Sequence, residues 1–170
     1  TWGGGGHTSI CLVRIHPDGG VETSLGSQDL GTGTRTAIGM VVAETFGLPL
    51  SAVKVHIGSS VYPASGPSGG STTIGGVSES NRRASQDALA KIFELAAPKL
   101  DAKPEDLEAS EGRIQFKGNS GTSMTWKEAC SLLGPQPLEV QGTFSRGGDS
   151  KLSSSQVAGV QMADVEVATE

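Results

Sequence analysis

Three features that would assign the chain to a common functional class are scarce or missing. There are two cysteines in 170 residues, and neither Cys11 nor Cys130 begins a C-x-x-C pattern, so the sequence predicts two small core residues and no zinc or iron–sulfur site. The net charge is -5 with scattered lysine and arginine, which argues against nucleic acid as a partner. No apolar run could cross a bilayer and none resembles a signal peptide, so no membrane partner is predicted.

What is abundant is glycine. The 25 glycines bring the share of apolar residues plus glycine to the level of globular proteins, and the length predicts that residues 1–170 form a single domain. The chain begins at Thr1 without methionine and closes on an alternating strand-like run that ends at Glu170. We therefore expect an excised or processed piece of a larger polypeptide.

Two loops rich in glycine and hydroxyl residues are the most informative feature. Each lies between a predicted strand and a predicted helix, where glycine lets a ligand approach the backbone and the first N–H groups of the helix face it. Two such loops predict a large, anionic, phosphate-bearing ligand. The candidate binding residues are Gly31, Thr32, Gly33 and Thr34 in the first loop, and Ser68, Gly69, Gly70, Ser71, Thr72 and Thr73 in the second.

The segment between the loops predicts a strand–helix–strand unit. Val21–Leu25 alternates as a strand does, residues 38–46 have helical spacing that ends at Gly47 and Pro49, and Val53–Ile57 forms the next strand. Strands connected in this way are usually parallel, so both loops should leave the same edge of the sheet, where open α/β sheets bind ligands.

The remaining patterns complete a mixed α+β fold with a strand–helix–strand core, hairpins and one long helix. A strand over residues 9–16 should form a hairpin with Val21–Leu25. The long helix is predicted over residues 76–97, with Pro98 near its end and a buried stripe of Val77, Ala84, Ala88, Ile92 and Leu95. Further predictions are a hairpin over residues 107–116, a Thr125–Glu128 capping box for a helix over residues 126–133, a strand at Leu138–Phe144, a polar loop over residues 146–155 and a strand over residues 157–167.

Several motifs of other enzyme classes match poorly. Gly66-Pro67-Ser68-Gly69-Gly70 fits the G-x-S-x-G elbow of serine hydrolases, but the preceding strand ends eleven positions before Ser68 and every histidine precedes that serine. The first loop has Thr36 where a dinucleotide-binding G-x-G-x-x-G motif needs its third glycine, and no P-loop motif occurs. The sequence predicts a ligand cradle and no catalytic residue.

Residues beside the loops have both a binding and a structural interpretation. Arg35 could reach a phosphate or extend into solvent, and Asp29 could orient the first loop by accepting its N–H groups. Residues 3–6, all glycine, allow close approach of a ligand near His7 or form a flexible lead-in. Arg82 and Arg83 fit an exposed helix face better than a ligand site.

The ordered series of motifs resembles the molybdopterin-binding large subunit of the xanthine dehydrogenase and aldehyde oxidoreductase family. The resemblance is carried by Gln28-Asp29-Leu30-Gly31-Thr32-Gly33-Thr34-Arg35-Thr36, by Ala43-Glu44-Thr45-Phe46-Gly47-Leu48-Pro49, and by the run from Pro63 through the second loop. It implies a cofactor of molybdenum bound to molybdopterin, often extended to a cytosine dinucleotide. It also implies that Thr32, Gly33 and Thr34 approach the pterin, with Gly69, Gly70, Ser71, Thr72 and Thr73 around the phosphates.

The resemblance also implies what is missing. Many members have glutamine where this chain has Thr32, and the family's catalytic glutamate lies in a Gly-x-Gly-Glu motif that this sequence lacks. The chain is therefore expected to be one cofactor-binding subdomain, inactive alone, whose partners are the remainder of the subunit and iron–sulfur and FAD subunits or domains. The alternatives are a non-catalytic phosphate- or nucleotide-binding module and a structural interaction domain.

Overall fold

The computed structural model describes residues 7–145 and 162–167, and within them the chain forms seven strands and three helices. The strands are β1 (Ser9–Ile15), β2 (Val21–Leu25), β3 (Val53–Ile57), β4 (Leu107–Ser110), β5 (Arg113–Phe116), β6 (Asn119–Thr125) and β7 (Leu138–Phe144). The helices are α1 (Thr34–Thr45), α2 (Thr73–Leu100) and α3 (Trp126–Ser131). The mixed α+β class with one long helix is as predicted.

The main sheet has four strands in the order β3-β2-β1-β7. β1 is antiparallel to both β2 and β7, which confirms the predicted first hairpin. β2 and β3 are parallel, in register from Val21 opposite Val53 to Leu25 opposite Ile57. The predicted strand–helix–strand unit is thereby confirmed, with α1 as the connection.

α1 and α2 cover one face of this sheet. Along β1, Ser9, Cys11, Val13 and Ile15 are buried and the residues between them are partly exposed, which is the two-residue alternation of a half-buried strand. Burial raises the pKa of the Cys11 thiol to about 11 and that of Cys130 to about 12. Both cysteines are free core residues, as the sequence predicted.

α2 is longer than predicted. It begins at Thr73 instead of residue 76 and continues past Pro98 to Leu100. A proline this close to the C-terminus removes only one helical N–H, and burial of Ala97 and Leu100 favours the last turn. The buried stripe also differs, because Leu95 is 39% exposed and Ala96 takes its place in the core. In the described part of the chain, no helix is both long enough and apolar enough to span a membrane.

A second sheet has the strand order β4-β5-β6, and it contacts α3 and the long helix α2. The Phe46 and Trp126 rings lie 5.1 Å apart between centroids, and Trp126 Nε1 donates to the Gly19 carbonyl at 2.9 Å. The predicted second hairpin and the Thr125–Glu128 capping box are both present. β6 was not predicted, because its polar sequence lacks the apolar alternation of a strand.

The predicted strand over residues 157–167 is not confirmed. Residues 162–167 have no regular secondary structure, and Val165 and Val167 are 77% and 74% exposed. Alternation alone does not make a strand, since its N–H and C=O groups also need a partner strand. Residues 157–161 and the predicted polar loop over residues 146–155 lie outside the described residues.

β7 packs so closely on α2 that one position allows no side chain. A Cβ on Gly142 would lie 2.1 Å from the Ser80 carbonyl oxygen and 2.8 Å from the Ala84 Cβ. We expect Gly142→Ala to lower the free energy of unfolding by about 3 kcal/mol, because the strand must move off the helix. Urea denaturation measures the loss. Gln141→Ala, at the exposed neighbouring position, is the matched control and should stay within about 0.5 kcal/mol of the parent.

Candidate functional site

Both predicted loops leave the sheet at one edge and touch each other. The first loop follows β2 and leads into α1, and the second follows β3 and leads into α2. The Ser68 hydroxyl donates to the Gln28 carbonyl at 3.3 Å, which joins the two loops directly. The structure thus brings the two groups of candidate residues together at the edge that parallel pairing predicts.

The segment between β3 and the second loop is tied to the first two strands by backbone hydrogen bonds. The N–H of Gly26, directly after β2, donates to the Pro63 carbonyl at 2.7 Å, and the N–H of Ile10 in β1 donates to the Ala64 carbonyl at 2.9 Å. The N–H of Gly66 in turn donates to the Thr8 carbonyl at 2.8 Å. These bonds fix where the second loop begins, although ten residues separate it from β3.

The side chain of His7 contacts the residues on both sides of the second loop, Ser65 before it and Gly76 after it. It is 4% exposed, and its Nε2 lies 2.8 Å from Ser65 Oγ. Burial lowers the pKa of His7, so the ring is neutral at pH 7. A Cβ on Gly76 would lie 2.7 Å from the Cβ of His7, so only glycine lets the first turn of α2 pack there. Sequence reasoning assigned no role to Ser65 or Gly76, because nothing local marks a contact with His7.

The first loop already holds an anion, the carboxylate of Asp29. Its Oδ1 accepts the N–H groups of Gly31, Thr32 and Gly33 at 3.1, 3.1 and 3.2 Å, and its Oδ2 accepts that of Arg35 at 3.0 Å. These four N–H groups of the first loop are therefore not available to a ligand. The structural role suggested for Asp29 is confirmed.

The hydroxyls of the first loop differ in exposure. Thr32 is exposed, whereas Thr34 is 1% exposed, and their Oγ1 atoms lie 3.1 Å apart. Gly31 and Gly33 have φ angles of 84° and 75°, a region that favours glycine. Thr32 is thus the candidate whose side chain is accessible to a ligand, whereas the side chain of Thr34 is buried beside it.

The second loop turns tightly just before α2. Gly70 and Ser71 have φ angles of 59° and 57°, and the N–H of Thr72 donates to Gly69 at 3.3 Å across the turn. The Thr72 hydroxyl donates to the same carbonyl at 3.0 Å. Thr73, the first residue of α2, has a buried side chain, while Gly69, Gly70 and Ser71 are exposed.

This second loop retains unpaired donors. The N–H groups of Gly70, Ser71 and Thr73, and those of the next two residues of α2, have no acceptor among the described residues. A Cβ built on Gly69 would meet no atom within 4 Å, so its surface is open to a close approach. An anion with several oxygens fits such a helix start without a charged side chain.

The charged and nucleophilic candidates nearby have structural partners. The Arg35 guanidinium donates to the Val55 carbonyl of β3, and Arg83 pairs with Glu79 at 2.7 Å. The hydroxyl of Ser68 is bonded to Gln28 and not to a histidine, so the hydrolase alternative gains no support. Residues 3–6 lie outside the described residues.

Comparison with known proteins identifies relatives along nearly the whole chain. A family model described as a molybdopterin cofactor-binding domain matches residues 2–170. The aldehyde oxidoreductase molybdenum-binding subunit PaoC of Escherichia coli (strain K12) is 32% identical over 141 residues, which are 79% of this chain and 18% of that subunit. The carbon monoxide dehydrogenase large chain of Hydrogenophaga pseudoflava is 27% identical over 135 residues, 79% of this chain and 17% of the relative.

Solved structures share the fold. Quinoline 2-oxidoreductase from Pseudomonas putida 86 superposes with a TM-score of 0.76 at 22% identity, over 83% of this chain and 19% of that chain. The CO dehydrogenase from Oligotropha carboxidovorans superposes with a TM-score of 0.71 at 24% identity, over 81% of this chain and 18% of that chain. The chain spans less than a fifth of the length of each of these four relatives.

Ser71 makes the second loop testable, because it has a left-handed conformation that favours glycine. We expect Ser71→Gly to leave the free energy of unfolding unchanged or to raise it by up to about 1 kcal/mol, since relief of strain opposes the greater freedom of the unfolded chain. Ser68→Gly, the matched control, should lower it by about 1 kcal/mol through loss of the bond to Gln28. Urea denaturation measures the free energy of unfolding of both variants. A larger decrease of that free energy in Ser71→Gly than in Ser68→Gly would contradict this account.

Proposed function

Because the chain belongs to the family of molybdopterin cofactor-binding domains, we propose that its two loops bind different parts of that cofactor. The second loop, with Gly69, Gly70, Ser71, Thr72 and Thr73, binds the phosphate-bearing part. The first loop lies beside the pterin, which Thr32, Gly33 and Thr34 approach. Gly31 shapes the first loop, and Ser68 holds the loops against each other through Gln28.

One observation carries this proposal: the second loop has unpaired N–H groups at the start of a helix of 28 residues, beside glycines that leave the surface open. The helix dipole adds its positive end at the same point. Since Arg35 is bonded to Val55, the phosphate is bound by backbone donors and hydroxyls. Such a site selects an anion by shape and by hydrogen bonds, and it needs no cation of its own.

We further propose that the chain is one cofactor-binding domain of a molybdenum hydroxylase subunit that acts on an aldehyde or an N-heterocycle. When bound, the cofactor supplies the redox chemistry of hydroxylation with oxygen derived from water. The residues of this chain bind and orient it. The catalytic glutamate and the substrate pocket belong to the remainder of the subunit, and electrons pass on to iron–sulfur and FAD subunits or domains.

The cytosine dinucleotide form of the cofactor fits the same site. A dinucleotide carries a second phosphate, and the exposed run from Gly69 to Ser71 together with the first turn of α2 offers donors on both sides of the turn. A non-catalytic phosphate- or nucleotide-binding module would use the same donors. The two functions differ in whether molybdenum is retained with the ligand, and that difference sets the experiment.

A pair of glycine substitutions tests the phosphate loop in the complete subunit. Gly70 and Gly134 both have positive φ angles, 59° and 77°, so alanine costs a similar strain of about 1 kcal/mol at each. We expect Gly70→Ala to reduce molybdenum and pterin content roughly tenfold, equivalent to about 1.4 kcal/mol of binding free energy. The Gly134→Ala variant, changed three residues after the end of α3, should load normally. Metal analysis and pterin fluorescence after oxidative release measure both quantities.

Gly69→Ala removes backbone strain from the comparison, because Gly69 does not have the positive φ angle of Gly70, and its Cβ would also meet no atom within 4 Å. The variant should fold as the parent does and still lose cofactor, since the methyl group occupies the path of the phosphate. Normal molybdenum content in both Gly69→Ala and Gly70→Ala would show that the second loop is a turn and does not bind the cofactor. The non-catalytic module would be favoured if the parent subunit held a nucleotide but no molybdenum, and if the glycine variants lost that nucleotide.

A further inference from the structure

The two loops offer different donors, although their sequences are alike. In the first loop, four backbone N–H groups converge on the two oxygens of Asp29, at 3.0–3.2 Å. These are the groups that an anion at the start of α1 would need. In the second loop no side chain of the described residues takes the corresponding place, and the N-terminus of α2 has no side-chain cap.

The Asp29 carboxylate is ionised at neutral pH. The N–H of Arg35, followed by those of the loop, donates to the charged form and lowers the pKa of Asp29. The start of α1 therefore already carries a full negative charge, supplied by the chain itself. A phosphate at that position would lack hydrogen-bond donors, because the N–H groups are already bonded to Asp29, and the carboxylate would repel it.

Three further contacts fix the shape of the first loop. Arg35 reaches across to the Val55 carbonyl of β3, Thr34 is buried, and the Gln28 carbonyl accepts the hydroxyl of Ser68. The loop is thus fixed by the hydrogen bonds of its N–H groups to Asp29, by the contact of Gln28 before it and by the contact of Arg35 after it. A loop held in this way needs little ordering when a ligand arrives.

From this geometry we infer that Asp29 is a positioning residue that assigns the two loops to different parts of the ligand. Its carboxylate fills the anion-binding start of α1, fixes residues 31–35 in their binding shape, and restricts the first loop to uncharged parts of the ligand. Phosphate is thereby directed to the second loop. The inference about ligand parts rests on the proposed function, whereas the role of Asp29 in the loop can be tested without any cofactor.

Amide hydrogen exchange of the chain tests the positioning role. Asp29→Ala should speed exchange at Gly31, Thr32, Gly33 and Arg35 by roughly tenfold, about the loss of one net hydrogen bond at each site. Added formate, a carboxylate supplied in solution, should restore part of the protection. Asp18→Ala is the matched control, because Asp18 accepts a single turn N–H, that of Gly20, at 2.9 Å; it should leave the loop unchanged.

Asp29→Asn gives a finer test that is less disruptive to the loop. One oxygen of the amide can still accept the three N–H groups that Oδ1 accepts, but its NH2 group would face the N–H of Arg35. Exchange should therefore increase most at Arg35 and less at Gly31 and Gly33. Parental exchange rates at all of these amides in both Asp29 variants would overturn the inference.

Titration with inorganic phosphate, followed by amide chemical shifts, tests the assignment of ligand parts. In the parent, phosphate should shift amides of residues 69–75 and leave residues 31–35 unmoved; in Asp29→Ala it should shift both groups. Shifts at residues 31–35 in the parent, or none there in Asp29→Ala, would overturn the assignment. If residues 69–75 do not respond in the parent, the proposed phosphate loop fails, and exchange in the Asp29 variants still decides the role of Asp29.

Discussion

The parallel pairing of β2 with β3 is the constraint on which the candidate site depends. Because Leu25 lies opposite Ile57, the chain leaves both strands at the same edge of the sheet, and each exit leads to a glycine-rich loop and a helix. α1 makes this pairing possible by crossing between the two strands. Without the parallel register, the Ser68 hydroxyl could not reach the Gln28 carbonyl, and the two loops would not form one surface.

Buried polar contacts hold α2 in position on the sheet beneath that surface. Thr23 Oγ1 donates to the Asn81 side chain, and Ser9 Oγ lies 2.9 Å from Ser80 Oγ. Burial makes such bonds costly to break, so they fix the rotation and the height of the helix more narrowly than apolar contacts would. Gly142 and Gly76 contribute by letting β7 and His7 approach the helix closely. The position of the second loop therefore follows from the core.

The two loops show that similar sequences can have different binding capacities. Both combine glycines with positive φ and hydroxyl residues before a helix, yet four N–H groups of the first loop are bonded to Asp29, whereas those of Gly70, Ser71 and Thr73 in the second have no acceptor among the described residues. The proposed ligand, with an uncharged ring at one end and phosphate at the other, has the two kinds of group that such a division would separate. The family match gives such a ligand, a molybdopterin cofactor, an independent basis.

The sequence by itself determined most of the local structure and the family. The alternation in β1, β2, β3 and β7, the helical spacing of α1 and the capping box of α3 depend on neighbouring residues, and each prediction from them is confirmed. The family resemblance rested on motifs in order along the chain, and it is confirmed as well. The cofactor-binding roles of individual loop residues remain predictions.

Tertiary structure alone decided what depends on distant residues. β6 forms because β5 supplies its partner, residues 162–167 form no strand because none pairs with them among the described residues, and the last turn of α2 forms because Leu100 is buried. The same holds in the site, where Arg35 bonds to Val55, twenty residues along the chain, and His7 packs under Gly76. Hydrogen-bond partners and close contacts across such separations are set by packing, and no local pattern encodes them.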